Sequence, residues 1–132
     1  MRLLTCLAVA VASALTLASA EAKEPWVRNT IYFDPDTVTI GVVAREIISD
    51  LAEEVIKEGA TRVVIVGHCD TADKAPTLLS RYRAKGVADI MRAKGVPQNV
   101  VIEVVGAGTS TPAVKTAPNI HEPHNRRATI AF

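Results

Sequence analysis

Cysteine is nearly absent from this chain of 132 residues: Cys6 and Cys69 are the whole supply. Cys6 falls in a leading segment that reads as removable, so no internal disulfide is expected and packing must hold the fold. Aromatic residues are equally sparse, Trp26, Tyr32, Phe33, Tyr82 and Phe132 making up 4% of the sequence. Scattered rings of that number make no base-stacking platform. Charge of one sign is missing too: Lys+Arg 15 stand against Asp+Glu 14, a formal net charge of +1. Nothing in that balance calls for nucleic acid or an anionic membrane surface as partner. Beyond the extreme N-terminus there is no apolar run of about 20 residues, the length a membrane-spanning helix needs. Repeats, low-complexity tracts and linkers are absent as well. What is present is 48% apolar residues, enough for one domain with a real core.

Met1–Ala20, MRLLTCLAVAVASALTLASA, opens on one Arg, continues apolar from Leu3 to Leu17 and closes on Ala18-Ser19-Ala20. This is the three-part layout of a secretory signal, with cleavage expected after Ala20. An uncleaved anchor is the other reading, but the apolar core is short for one and broken by Thr and Ser. Cys6 lies near the start of that core and not after it, where a lipidation signal needs its cysteine. The expected organisation is a signal over residues 1–20, a polar leader over 21–29 with little structure, and one domain over 30–132. No membrane span is expected after cleavage.

Thr30-Ile31-Tyr32-Phe33 is rich in strand formers and stops at the turn signal Asp34-Pro35-Asp36. Val43, Ile47, Leu51 and Val55 recur every four residues up to Gly59, the pattern of an amphipathic helix. Val63-Val64-Ile65-Val66 is a continuous β-branched run, which predicts a strand covered on both faces. A polar loop from His68 to Thr77 leads to a second helix ending near Gly95, with Pro97 as a stop. Val100–Val105 is a further strand, Gly106–His124 a long irregular stretch, and Ala128–Phe132 a last short strand. The order β-α-β-α-β-β predicts an α/β sandwich, two helices packed on one mixed sheet.

Three clusters in this plan carry chemistry. Gly67-His68-Cys69-Asp70 follows a strand directly, and ligands of α/β sheets favour the carboxyl ends of strands. On the second helix, at roughly 100° per residue, Arg83 falls amid the apolar arc of Leu79, Gly86, Val87 and Ile90. An inward arginine needs a ligand, an ion-pair partner such as Asp70, or a route for its head to the rim. Asn125-Arg126-Arg127 precedes the last strand; adjacent arginines in an extended segment face opposite sides, so at most one of the two joins a given site.

In order and spacing these clusters resemble the OmpA-like family, the peptidoglycan-binding domain also found in flagellar motor stators and peptidoglycan-associated lipoproteins. The family's G-H-T-D, L-S-x-x-R-A, G-V, G-x-G-x-x-x-P and N-R-R motifs stand here as follows. They are Gly67-His68-Cys69-Asp70, Leu79-Ser80-Arg81-Tyr82-Arg83-Ala84, Gly95-Val96, Gly106-Ala107-Gly108 with Pro112, and Asn125-Arg126-Arg127. The match runs from about Thr30 to Phe132. The resemblance implies non-covalent binding of peptidoglycan in the periplasm, at the cell wall or outer membrane, with no enzymatic activity and no cofactor or metal. It implies that Asp70 and Arg83 hold the diaminopimelate of the stem peptide, with Asn125, Arg126 and Arg127 contributing. The chemistry suits a zwitterion: a carboxylate takes its ammonium and a guanidinium fork its carboxylate.

The chain departs from the family where the pocket is built. Asp73 stands where glycine is usual, Pro76 where asparagine is usual, and Cys69 where threonine is common. The loop from Asp70 to Leu79 is about two residues shorter than usual. An alternative is therefore a scaffold that has lost wall binding and serves as a structural or protein-docking module, with an envelope protein as partner. Two rival chemistries use the same loop. His68, Cys69, Asp70 and Asp73 with His121 and His124 suggest a zinc shell, though without a known ligand spacing. Cys69 beside His68 suggests a thiol nucleophile, though neighbours on an extended segment face apart.

Overall fold

The structure, a computed structural model, describes residues 26–132; the expected signal and most of the polar leader lie outside the described residues. The elements in chain order are β1 (Val27–Tyr32), α1 (Val42–Glu58), β2 (Arg62–Gly67), α2 (Pro76–Ala93), β3 (Val101–Gly106) and β4 (Arg127–Ala131). A single 3-10 turn, Pro123–Asn125, leads into β4. The four strands form one sheet in the order β1-β4-β2-β3. β2 and β3 run parallel, with α2 as their crossover, and β4 lies antiparallel between β1 and β2. Two helices thus pack on a mixed sheet, as the element order predicts.

Helix α1 seats on Ile48, Leu51, Ala52 and Val55; of the predicted four-residue stripe Leu51 and Val55 are buried, Ile47 is half-buried and Val43, in the first turn, is exposed. Gly59 ends the helix at φ +66°, the left-handed turn that favours glycine. Helix α2 buries Ser80, Arg83, Ala84, Val87, Ala88 and Met91. Its inward arc is turned slightly from the one the sequence predicts, leaving Leu79 and Ile90 half-buried at its margins. These side chains meet Ile31, Val63, Ile65, Ala128 and Ile130 on one face of the sheet, and that layer is the core.

Two expectations change. β1 begins at Val27, so the last three residues assigned to an unstructured leader are strand, paired with β4 from Val27↔Ala131 onward. The β-branched run of β2 is not covered on both faces. Val63 and Ile65 are fully buried under the helices, whereas Val64 and Val66 are half-buried on the opposite face. Strand propensity places valine on that face without a helix to cover it.

Gly67 sets how closely α2 approaches the sheet. A Cβ there would stand 1.7 Å from the carbonyl oxygen of Ser80, so only glycine lets the helix backbone rest on the end of β2. Gly67→Ala is expected to lower stability by about 1–3 kcal/mol or more, read as a drop in urea midpoint. That close contact puts Arg83, one turn further along α2, against the loop that follows β2.

Candidate functional site

Residues 68–75 leave the carboxyl end of β2 as a tight loop organised by two acids that cap each other's backbone. Asp70 Oδ1 accepts the N–H groups of Ala72 and Asp73 at 3.1 and 2.7 Å, and Asp73 Oδ2 accepts the N–H of Asp70 at 3.0 Å. This mutual capping gives the short loop a physical reason: Asp73 supplies an acceptor where glycine supplies none.

The second oxygen of Asp70 faces the strand that closes the sheet. It accepts Arg126 Nη1 at 2.9 Å and the Glu122 N–H at 3.1 Å, with His121 Nδ1 at 3.4 Å. Burial pushes the Asp70 carboxyl pKa up, but the Arg126 guanidinium and the N–H groups of Asp73, Glu122 and Ala72 outweigh it and hold the group below the usual carboxylate range. Arg126 also donates from Nε to the Phe33 carbonyl at 2.9 Å.

Arg83 is fully buried and all of its donor groups are used. Its fork closes on Asp73, Nη1 to Oδ2 at 2.7 Å and Nη2 to Oδ1 at 3.2 Å. The remaining N–H groups reach the carbonyls of Thr37, Asp34 and His68 at 2.9, 3.1 and 3.0 Å, with the Cys69 sulfur at 3.3 Å from Nη1. The Phe33 ring lies 5.2 Å from the guanidinium carbon. Asp36 joins from the same β1–α1 loop: its N–H donates to Asp73 Oδ1 at 2.8 Å and its carboxylate accepts the Lys74 N–H at 2.7 Å. The cluster is therefore two ion pairs, Asp70–Arg126 and Asp73–Arg83, tying together the loops after β1, after β2 and before β4. The Asp70–Arg83 pair considered from sequence is not formed, because each group has a nearer partner.

The other predicted residues divide around this cluster. Asn125 is buried and clasps Val114, accepting its N–H at 2.9 Å and donating to its carbonyl at 2.7 Å. It fixes the loop before β4 and makes no side-chain hydrogen bond to Asp70 or Arg83. Arg126 and Arg127 face opposite sides of the sheet, as strand alternation requires, so Arg127 lies away from the cluster and donates to the Thr111 carbonyl at 3.1 Å. Pro76 occupies the first turn of α2, and its carbonyl accepts from the Cys69 thiol at 3.4 Å. Sequence reasoning missed Asp36 and Glu122, and weighed His121 only as a metal ligand. The Asp34-Pro35-Asp36 turn signal was the one trace of Asp36; nothing in the proline-rich stretch marked Glu122.

The rival chemistries find little support in this geometry. His68 points to Thr111 with Nδ1 3.3 Å from its hydroxyl, and Cys69 points to Arg83, so the pair faces apart. His124 is engaged with Glu122 at 2.8 Å. Among the described residues no three His, Cys, Asp or Glu side chains gather as a metal shell. Burial pushes the Cys69 thiol pKa up to about 12; Arg83 opposes the shift, and Asp73 and Asp70 add to it. Iodoacetamide at about pH 8 should therefore leave the Cys69 peptide unmodified in the folded protein and alkylate it after denaturation. Equal labelling in both states, read by peptide mass mapping, would refute the inert thiol.

Residues 32–126 match the model of the OmpA family. The chain belongs to the OmpA family. An outer membrane protein of Gluconacetobacter diazotrophicus is 32% identical over 108 residues, a match covering 76% of this chain. That match spans only 28% of the relative's length. The peptidoglycan-associated lipoprotein of Burkholderia pseudomallei has the same fold, with a TM-score of 0.70 at 21% identity over 79% of this chain and 89% of its own. The OmpA-like domain of FopA1 from Francisella tularensis subsp. tularensis SCHU S4 follows at 0.68 and 19% identity, over 78% and 69% of the two chains. The C-terminal domain of Helicobacter pylori MotB gives 0.62 at 19% identity, over 79% and 84%. The Asp73–Arg83 fork rests on Asp73, one of the loop residues singled out in the sequence as a departure.

Proposed function

We propose that this domain binds peptidoglycan non-covalently in the periplasm, as an envelope module without enzymatic activity, through the diaminopimelate of the stem peptide. Support comes from OmpA family membership. It also comes from one observation in particular: Asp70, Asp73, Arg83 and Arg126 converge where three loops meet at the carboxyl end of β2. A zwitterionic amino-acid head group matches that set. Its carboxylate takes the Arg83 fork, and its ammonium sits between Asp70 and the Asp73 carboxylate thereby released. Asp70 and Arg126 hold the neighbouring charge in balance. The exchange leaves no buried charge unpaired, which is why a zwitterion is the suitable ligand and a simple anion or cation is not.

The closed Asp73–Arg83 fork favours a second reading, a scaffold that keeps the fold, has filled its own ligand position and docks proteins instead. One substitution separates the two. Asp73→Gly removes the internal competitor and leaves Arg83 uncompensated, so the unliganded protein should melt several degrees lower. If Arg83 takes the ligand carboxylate, meso-diaminopimelate should raise the melting temperature of Asp73→Gly by more than that of the natural chain. Equal shifts, or none, favour the scaffold.

A further inference from the structure

The sheet face that carries no helix holds a cavity of about 280 Å3 lined by Trp26, Val64, Val66, His68, Thr111 and Arg127, among others. Arg127 is flanked by Tyr32 across β1 and by His68, whose N–H donates to the Arg127 carbonyl at 2.7 Å. Its Nη2 donates to the Thr111 carbonyl, but Nη1 is buried with no hydrogen-bond partner, the one such side-chain atom among the described residues. No carboxylate among the described residues pairs with this guanidinium, in contrast to Arg83 and Arg126 on the other face. An arginine stays protonated at any ordinary pH. A half-buried cation with one donor shut off from water and unfilled is costly unless an acceptor arrives, and an anion fills both needs. Burial accordingly draws the Arg127 pKa down. His68 does not compete for an anion as a second cation, since burial and Arg127 lower its pKa to about 4.

We propose that this cavity is a binding site for a monocarboxylate with an apolar body, its carboxylate on the Arg127 guanidinium and its body along Val64, Val66 and Trp26. The shared chemistry fits a free medium-chain acid or the apolar C-terminus of a peptide. This site is separate from the Asp70–Arg83 cluster and stands or falls without it.

Trp26 is the chain's sole tryptophan, so its emission reports on the cavity. The full chain is titrated with octanoate and, separately, with N-acetyl-leucyl-leucine, using octanol and acetate as controls. A saturable shift in Trp26 emission is expected with at least one of the two carboxylates and with neither control; which one responds distinguishes the free acid from the peptide terminus. Arg127→Gln should weaken that response about tenfold or more, the usual loss for a hydrogen bond to a charged group. Thr129→Glu sets an acid on the same face two residues along β4, and should raise the melting temperature while abolishing the response. That variant keeps the test decisive even if Arg127→Gln fails to fold. No response to either carboxylate overturns the proposal, whether leader residues or a second copy fill the cavity. So does an equal response from octanol or from folded Arg127→Gln, or one that Thr129→Glu leaves intact.

Discussion

Arg83→Met is expected to lower the unfolding free energy by about 3–5 kcal/mol, the usual result of removing one member of a buried pair. The volume is nearly kept, so cavity formation is a minor contributor. The main loss is electrostatic: Asp73, with no exposed side-chain area, is left as an unpaired buried carboxylate. The carbonyls of Asp34, Thr37 and His68 lose donors at the same time. Adding Asp73→Ala to Arg83→Met should restore part of the loss, because the stranded charge goes with it. Urea denaturation of the two single variants and the double one measures this coupling. Strict additivity would mean that the fork contributes nothing as a pair.

Acid should destabilise the fold in two separate windows. The first belongs to His68, whose pKa falls from 6.5 in the unfolded chain to about 4 in the fold, through burial first and Arg127 second. Between those values the unfolded chain binds a proton that the folded one refuses, so stability rises with pH across the window and falls as pH drops through it. The full loss below pH 4 is about 3 kcal/mol by the ordinary conversion of a pKa shift. The second window belongs to Asp70, whose folded pKa lies below 3.8. Its contribution is fully present above that value and is lost as pH falls below it through the folded pKa. Melting temperatures collected from pH 7 to pH 3 should show the first decline, and His68→Gln should remove it while leaving the second. A profile flat from pH 6.5 to pH 4 would contradict the burial of a neutral His68.

Much of this fold was legible in the sequence because its signals are local. The four-residue spacing from Ile47 to Val55, the β-branched run Val63–Val66 and the glycine and proline stops each answer to a short stretch of chain. The inward Arg83 was legible for the same reason, since helical periodicity alone places it on the core side. Its partner was not. Asp73 and Asp70 are both near Arg83 in sequence, and only the mutual backbone capping within the loop decides that Asp73 turns to Arg83 and Asp70 to Arg126. The contributions of Asp36, Glu122 and His121 depend on three loops meeting across the end of the sheet, which no periodicity encodes. The uncovered face of β2 was misread because valine strand propensity looks the same whether or not a helix lies above it.

Wall binding is tested most directly by co-sedimentation with isolated sacculi. The protein should pellet with the sacculi and return to the supernatant when free meso-diaminopimelate is added. Asp70→Asn, which keeps the shape and an acceptor but removes the charge, should remain largely in the supernatant while melting as a folded protein. A natural chain that stays in the supernatant, or one that pellets equally with and without diaminopimelate, would contradict recognition of the stem peptide at this cluster.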